Sequence, residues 1–187
     1  MIFLSFALTL LYWIEPHPDA DLARAAMQHW QAASQGELIL KETPQAAQAT
    51  LRFRFLSPSR QGLYGSAMAR RENGREVQEL FINPALAADV QDPLLATTIL
   101  FLTCVHESGH GLGLGHTRNF ADIMYSFQYG GDLEEYFARY RRRLGQRKDV
   151  FRESPIAPGD KAQLQAILAA QKQSGTRSAE SSATPPR

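Results

Sequence analysis

Apolar positions recur along this chain with two different periods, and the switches between them mark out its elements. Leu8 to Ile14 is a continuous apolar run of strand length. Asp19 or Asp21 can then cap a helix whose buried face carries Leu22, Ala26, Trp30 and Ala33, with Gly36 closing it. Glu37 to Lys41 reads as a short strand. From Thr50 to Leu56 the period is two, with Leu51, Phe53 and Phe55 on one face and Arg52 and Arg54 on the other, the pattern of a half-buried strand. Leu63 to Arg70 and Val77 to Ile82 flank Glu72-Asn73-Gly74, a hairpin signal because Asn and Gly both accept positive φ. Asp92 and Pro93, as cap and first-turn proline, open a long helix that runs through Leu95, Ile99 and Leu102 into His106 and His110.

Past residue 127 a second helical pattern begins. Asp132 caps it, Glu134 and Glu135 fill its first turn, Arg141 to Arg143 its last, and Gly145 follows, so that both ends complement the helix dipole. Leu133, Tyr136, Phe137, Tyr140 and Leu144 form one apolar stripe, which reads first as an extra helix packed on its neighbours. The cations Arg139, Arg141, Arg142, Arg143, Arg147 and Lys148 read as a solvated face. From Gln171 to Arg187 the chain turns to Gln, Ser, Thr, Pro and small residues without apolar periodicity, which predicts a flexible tail behind a single domain of residues 1–170.

Composition narrows the function classes. With 187 residues, 44% hydrophobic and 21% charged, the chain can bury one sizeable core. A net charge of +1 calls for no nucleic acid and no other strongly charged partner. Ile2 to Ile14 is too short to span a bilayer and lacks the basic start and small-residue cleavage site of a signal peptide, so Thr9 to Ile14 is expected to be the central strand of a sheet. Cys104 stands alone and cannot form an internal disulfide. Two residues before His106 it points about 200° away around the helix, so a buried apolar role is expected.

The chemistry concentrates in His106-Glu107-Ser108-Gly109-His110-Gly111-Leu112-Gly113-Leu114-Gly115-His116. Residues four apart stack on one helix face, so His106 and His110 can bind one ion together while Glu107, one step round, reaches a water on that ion. A catalytic zinc takes three protein ligands and keeps a fourth position open. A continuing helix would carry the next residues away, and Gly113 can end it at a left-handed residue and turn the chain back to deliver His116. The pattern predicts one Zn²⁺ held by His106, His110 and His116, with Glu107 as general base acting on the metal-bound water. The other histidines, His17 and His29, are expected to be surface or packing residues.

The run H-E-x-x-H-x-x-G-x-x-H resembles the metzincin clan of metallopeptidases. Thr117 after the third histidine, Gly-Leu-Gly at 113 to 115 and Ile123-Met124-Tyr125 are similar to the matrixins, and Ile156-Ala157-Pro158-Gly159-Asp160 followed by Leu164 to Leu168 is similar to the start of their last helix. The resemblance implies an α+β, zincin-like fold: a mixed, twisted sheet of about five strands, two long helices including the active-site helix, a Met-turn and a C-terminal helix. It implies that Met124 is the Met-turn residue under the imidazoles and that Asp160 is a buried acid beneath that turn. It also implies a monomeric, secreted or extracytoplasmic zinc endopeptidase acting on a peptide or protein substrate. Gly159 replaces the first acid of the family's acid pair, the one that receives the new amino terminus after activation, so the resemblance does not extend to that switch. Only Ser57 to Gln61 stands where vertebrate matrixins have a longer ion-holding loop, so neither a structural zinc nor a calcium is expected. The helix near residues 131–145 is an addition in the stretch that walls the family's S1′ pocket. A zinc-holding interaction module without turnover, or a peptidase restricted to one partner or to itself, is the alternative.

Overall fold

The computed structural model describes residues 7–55 and 64–181. The short loop at 57 to 61 and the first residues of the chain lie outside them. Five strands form one mixed sheet: β1 (Leu8–Ile14), β2 (Leu38–Glu42), β3 (Leu51–Phe55), β4 (Gly65–Glu72) and β5 (Arg75–Ile82), in the order β2-β1-β3-β5-β4. All neighbours run parallel except β4, which returns antiparallel on β5 at the sheet edge. The Asn73-Gly74 turn makes that return, with φ of 50° and 78°. The expectation that β1 is central is corrected: β3 holds the middle and β1 lies between it and β2.

Two helices cover the face that carries Leu51, Phe53, Leu80 and Ile82, all fully buried. They are α1 (Ala20–Ala33) and α2 (Pro93–Gly111), which pack on each other, with α2 also against β4 and β5. Asp92 caps α2 by accepting from the Leu94 and Leu95 amides at 2.8 and 3.3 Å. Asp19 occupies the cap position of α1 without capping it; its carboxylate and that of Asp21 take Arg147 instead, at 2.9 and 2.6 Å. The other face differs from a solvated one. Arg52, in register with Glu79, is 5% exposed and Glu79 2%, and the two pair at 3.3 Å while Arg54 reaches Glu79 at 3.0 Å. Cross-strand register, which alternation alone does not show, neutralises these charges.

The added helix exists as α3 (Leu133–Arg141), capped by Asp132 onto the Glu135 amide at 3.0 Å. Tyr136, Phe137, Tyr140 and Leu144 are buried, while Leu133 at the helix start is 37% exposed. Arg142, Arg143 and Lys148 are exposed, as a solvated face requires, but most of the arginines are also paired. Arg141 binds Asp92 at 2.7 Å, Arg142 binds Glu135, Arg143 binds Glu153 at 2.8 Å, and Arg139 lies over the rings of Phe120 and Tyr136. The last helix, α4 (Pro158–Ser181), continues well past Gln171, through the first part of the segment read as a flexible tail. Ala, Gln and Lys favour helix and no proline interrupts before residue 185, so the chain stays helical although residues 171 to 174 are exposed. Among the described residues no helix is long and apolar enough to cross a membrane.

His17 stacks on Phe55 at 4.1 Å, and Cys104 is fully buried, which pushes its thiol far above the usual range. His29 is 7% exposed and donates from Nε2 to the Val150 carbonyl at 2.6 Å. Burial holds its pKa below the ordinary value; the Val150 bond and Glu153 oppose that shift and Arg143 adds to it. A lowered folded pKa means the unfolded chain binds the proton first, so stability is whole above about pH 6.5 and declines as pH falls below it. His29→Gln keeps a donor for Val150 but cannot titrate. Urea unfolding between pH 7 and 5 should show a shallower loss of stability in the variant, the difference being at most about 1.4 kcal/mol per pH unit. Identical slopes would remove His29 as the cause.

Candidate metal centre

The long α2 is buried from Thr97 to Val105, because it threads between α1, α3 and the sheet, and its last turns then meet the cleft. Its end is built by Gly113 at φ +96°, with Leu114 N–H returning to Gly109 C=O and Gly113 N–H to His110 C=O, both at 2.9 Å. This is the Schellman arrangement, in which the left-handed glycine reverses the chain. The reversal places His116 against the two helical histidines. His106 Nε2 and His110 Nε2 lie 3.3 and 3.1 Å from His116 Nε2.

The tautomers follow from the partners. His106 Nδ1 faces the Ile123 carbonyl at 2.8 Å and His110 Nδ1 faces the Leu114 carbonyl at 2.9 Å. A carbonyl only accepts, so both Nδ1 atoms carry the proton and both Nε2 atoms turn lone pairs inward. Burial, and then repulsion from His110 and His116, pushes His106 down to about 4 against the Ile123 bond; His116 is lowered too, by burial and then by His110. His106 and His116 are therefore neutral near neutral pH. The inward lone pairs of His106 and His110 converge on His116 Nε2, and three such nitrogens, two from half-buried rings and one from the exposed His116, fit a tetrahedral zinc with one open position.

Glu107 lines the same cleft, 6% exposed, and burial alone pushes its carboxyl up to about 8. A cation in that cleft opposes the shift and favours the ionised form. The edge strand presses close here: a Cβ on Gly65 would meet Glu107 Cγ at 2.7 Å and Oε1 at 2.8 Å. Only glycine lets β4 approach the carboxylate so nearly. Around these groups lies a cleft of about 530 Å³, walled by Tyr64, Leu102, Tyr125, Phe127, Tyr136 and Phe137.

Met124 is fully buried, and a Cβ on Gly109 would lie 2.5 Å from its sulfur and 3.0 Å from the Trp30 ring. The segment around Met124 is fixed from underneath. Asp160, fully buried, accepts from the amides of Ile123 at 2.9 Å, Met124 at 3.1 Å and Ala157 at 2.9 Å. Gln163, which no motif singles out, clasps the backbone of Gly115 beside His116: its amide donates to the Gly115 carbonyl at 3.2 Å and its oxygen receives the Gly115 N–H. Tyr136 is visible in the sequence only as a stripe residue, yet it lines the cleft and reaches the backbone behind His106.

A scan of family models finds no match to this chain, and a search of curated proteins finds none either. Among solved structures, archaemetzincin from Methanopyrus kandleri is similar, with a TM-score of 0.47 and 15% identity over 87% of this chain and 96% of that chain. What the site can do follows from its own geometry.

Proposed function

We propose that the protein is a zinc-dependent endopeptidase of matrixin-like design, with His106, His110 and His116 as the metal ligands and Glu107 as general base. The observation that carries this reading is the set of three inward Nε2 atoms, two of them with their tautomer fixed by backbone carbonyls, beside a buried carboxyl in one open cleft. Zinc bound there would act as a Lewis acid that lowers the pKa of a water and polarises a carbonyl. The chain's own residues do the rest. Glu107, held against β4, takes a proton from the attacking water and passes it to the departing amine. The outer edge of β4 offers backbone groups to an extended peptide, and Ser66 and Ala67 from that strand line the cleft. Met124 is a buried floor that supports the ligands without joining them.

The inserted helix supplies a specificity wall. Phe137 is 7% exposed and packs on the ring of Tyr64, centroids 5.4 Å apart, in the lining of the cleft. Phe137→Leu should enlarge this end of the cleft and shift kcat/KM toward bulkier apolar side chains after the scissile bond, by about tenfold relative to small ones. A peptide library cut with an unchanged preference would take the wall out of the account.

The direct test is to load the purified protein with zinc, count the metal and offer it casein and a peptide library. Stoichiometric zinc, cleavage, and loss of both on chelation or in His116→Ala are expected. A folded, zinc-loaded chain that cuts none of these substrates would favour a zinc-holding interaction module.

A further inference from the structure

The Ile123 carbonyl is asked to accept twice. His106 Nδ1 donates to it at 2.8 Å and the Tyr136 hydroxyl at 3.0 Å, the next carbonyl, Asp122, lying farther from that hydroxyl at 3.5 Å. A carbonyl oxygen has two lone pairs, so both are used. The other side of the same peptide is also taken, because the Met124 N–H donates to Asp160 at 3.1 Å. Ile123 is 2% exposed and Tyr136 4%, so both bonds are made inside the protein. The ring of Tyr136 is held independently by edge contacts with Phe120, Phe127 and Phe137 and by the Arg139 guanidinium over its face. Its hydroxyl is thus delivered by α3, an element foreign to the histidine motif.

From this shared acceptor we infer that Tyr136 is a positioning residue of the metal centre: by occupying one lone pair of the Ile123 carbonyl it leaves His106 Nδ1 a single line of approach, which fixes the imidazole plane and the aim of Nε2. The helix that walls the cleft is thereby also part of what holds the metal. This rests on the three histidines binding zinc, but not on turnover.

Tyr136→Phe keeps the ring contacts and removes the second donor. Its zinc affinity, measured by chelator competition, should fall by about tenfold, within the range found when outer partners of ligating histidines are lost. The visible spectrum of the cobalt-substituted protein should change with it. Tyr140→Phe is the matched control. Tyr140 is a buried tyrosine of the same helix whose hydroxyl bonds the Glu153 carbonyl, away from the histidines, so that variant should lose stability yet keep wild-type zinc affinity and spectrum. If Tyr136→Phe binds zinc as tightly as wild type with the same cobalt spectrum, or if both variants lose affinity alike, the positioning role is wrong. If Tyr136→Phe does not fold, 3-fluorotyrosine placed at 136 in the otherwise unchanged chain gives the readout: its fluorine resonance should move on zinc addition, and a resonance that stays put overturns the inference. Failure of wild type itself to bind zinc would instead overturn the proposed function.

Discussion

Glu107→Ala is expected to leave zinc at the wild-type stoichiometry and the fold intact while kcat/KM falls by about 10² to 10⁴-fold, the range for a lost general base. Zinc should stay because the converging donor atoms are all imidazole nitrogens, and both helical imidazoles take their orientation from backbone carbonyls rather than from this carboxylate. The fold should stay because burial is the single cause acting on the Glu107 carboxyl, with no partner charge that its removal would orphan. Glu107→Gln is the sharper companion. It fills the space beneath Gly65 that alanine empties, so a common loss in both variants assigns the effect to proton transfer, whereas activity retained in Gln and lost in Ala would assign it to packing against β4. An alanine variant as active as wild type would exclude Glu107 as the base.

The parts of this site that sequence made legible are those whose physics is local. The cap of α2 at Asp92, the left-handed break at Gly113 and the Asn73-Gly74 turn each depend on a few adjacent residues, and each stands where the pattern put it. What escaped depends on register or on approach between distant elements. Arg52 and Arg54 alternate as outward polar residues should, yet the register of β3 on β5 sets Glu79 beside them and buries the set. The arginines around α3 read as a solvated face, and folding also brings Asp19, Asp21, Asp92 and Glu153 against them. β1 is expected at the centre of the sheet because its segment is neither a membrane span nor a signal peptide, whereas the five-strand order gives that place to β3. Gln163 and Tyr136 act on the backbone next to His116 and behind His106, and a side chain bonding a remote peptide leaves no spacing in the sequence.

Asp160 links the last helix to the centre, and its removal should have the largest effect on the fold. Three backbone amides, those of Ile123, Met124 and Ala157, end on its two oxygens, and two of them belong to the segment that carries the His106 acceptor. A buried donor left without a partner costs about 1–3 kcal/mol, so Asp160→Ala should lose on the order of 3–5 kcal/mol, a large share of the roughly 5–15 kcal/mol that holds a domain together. At this chain length that corresponds to a fall in Tm of about 10 °C or more. Asp160→Asn separates acceptor geometry from size. The amide keeps the volume but turns an NH₂ toward one of the donors, so it too should be destabilised by about 2 kcal/mol or more, with weaker zinc binding because Ile123 is no longer held from below. Thermal unfolding with and without zinc checks both effects. An asparagine variant as stable as wild type, binding zinc equally well, would show that the two oxygens do not brace this turn, and that the Met124 segment is held by its packing against Gly109 and Trp30 alone.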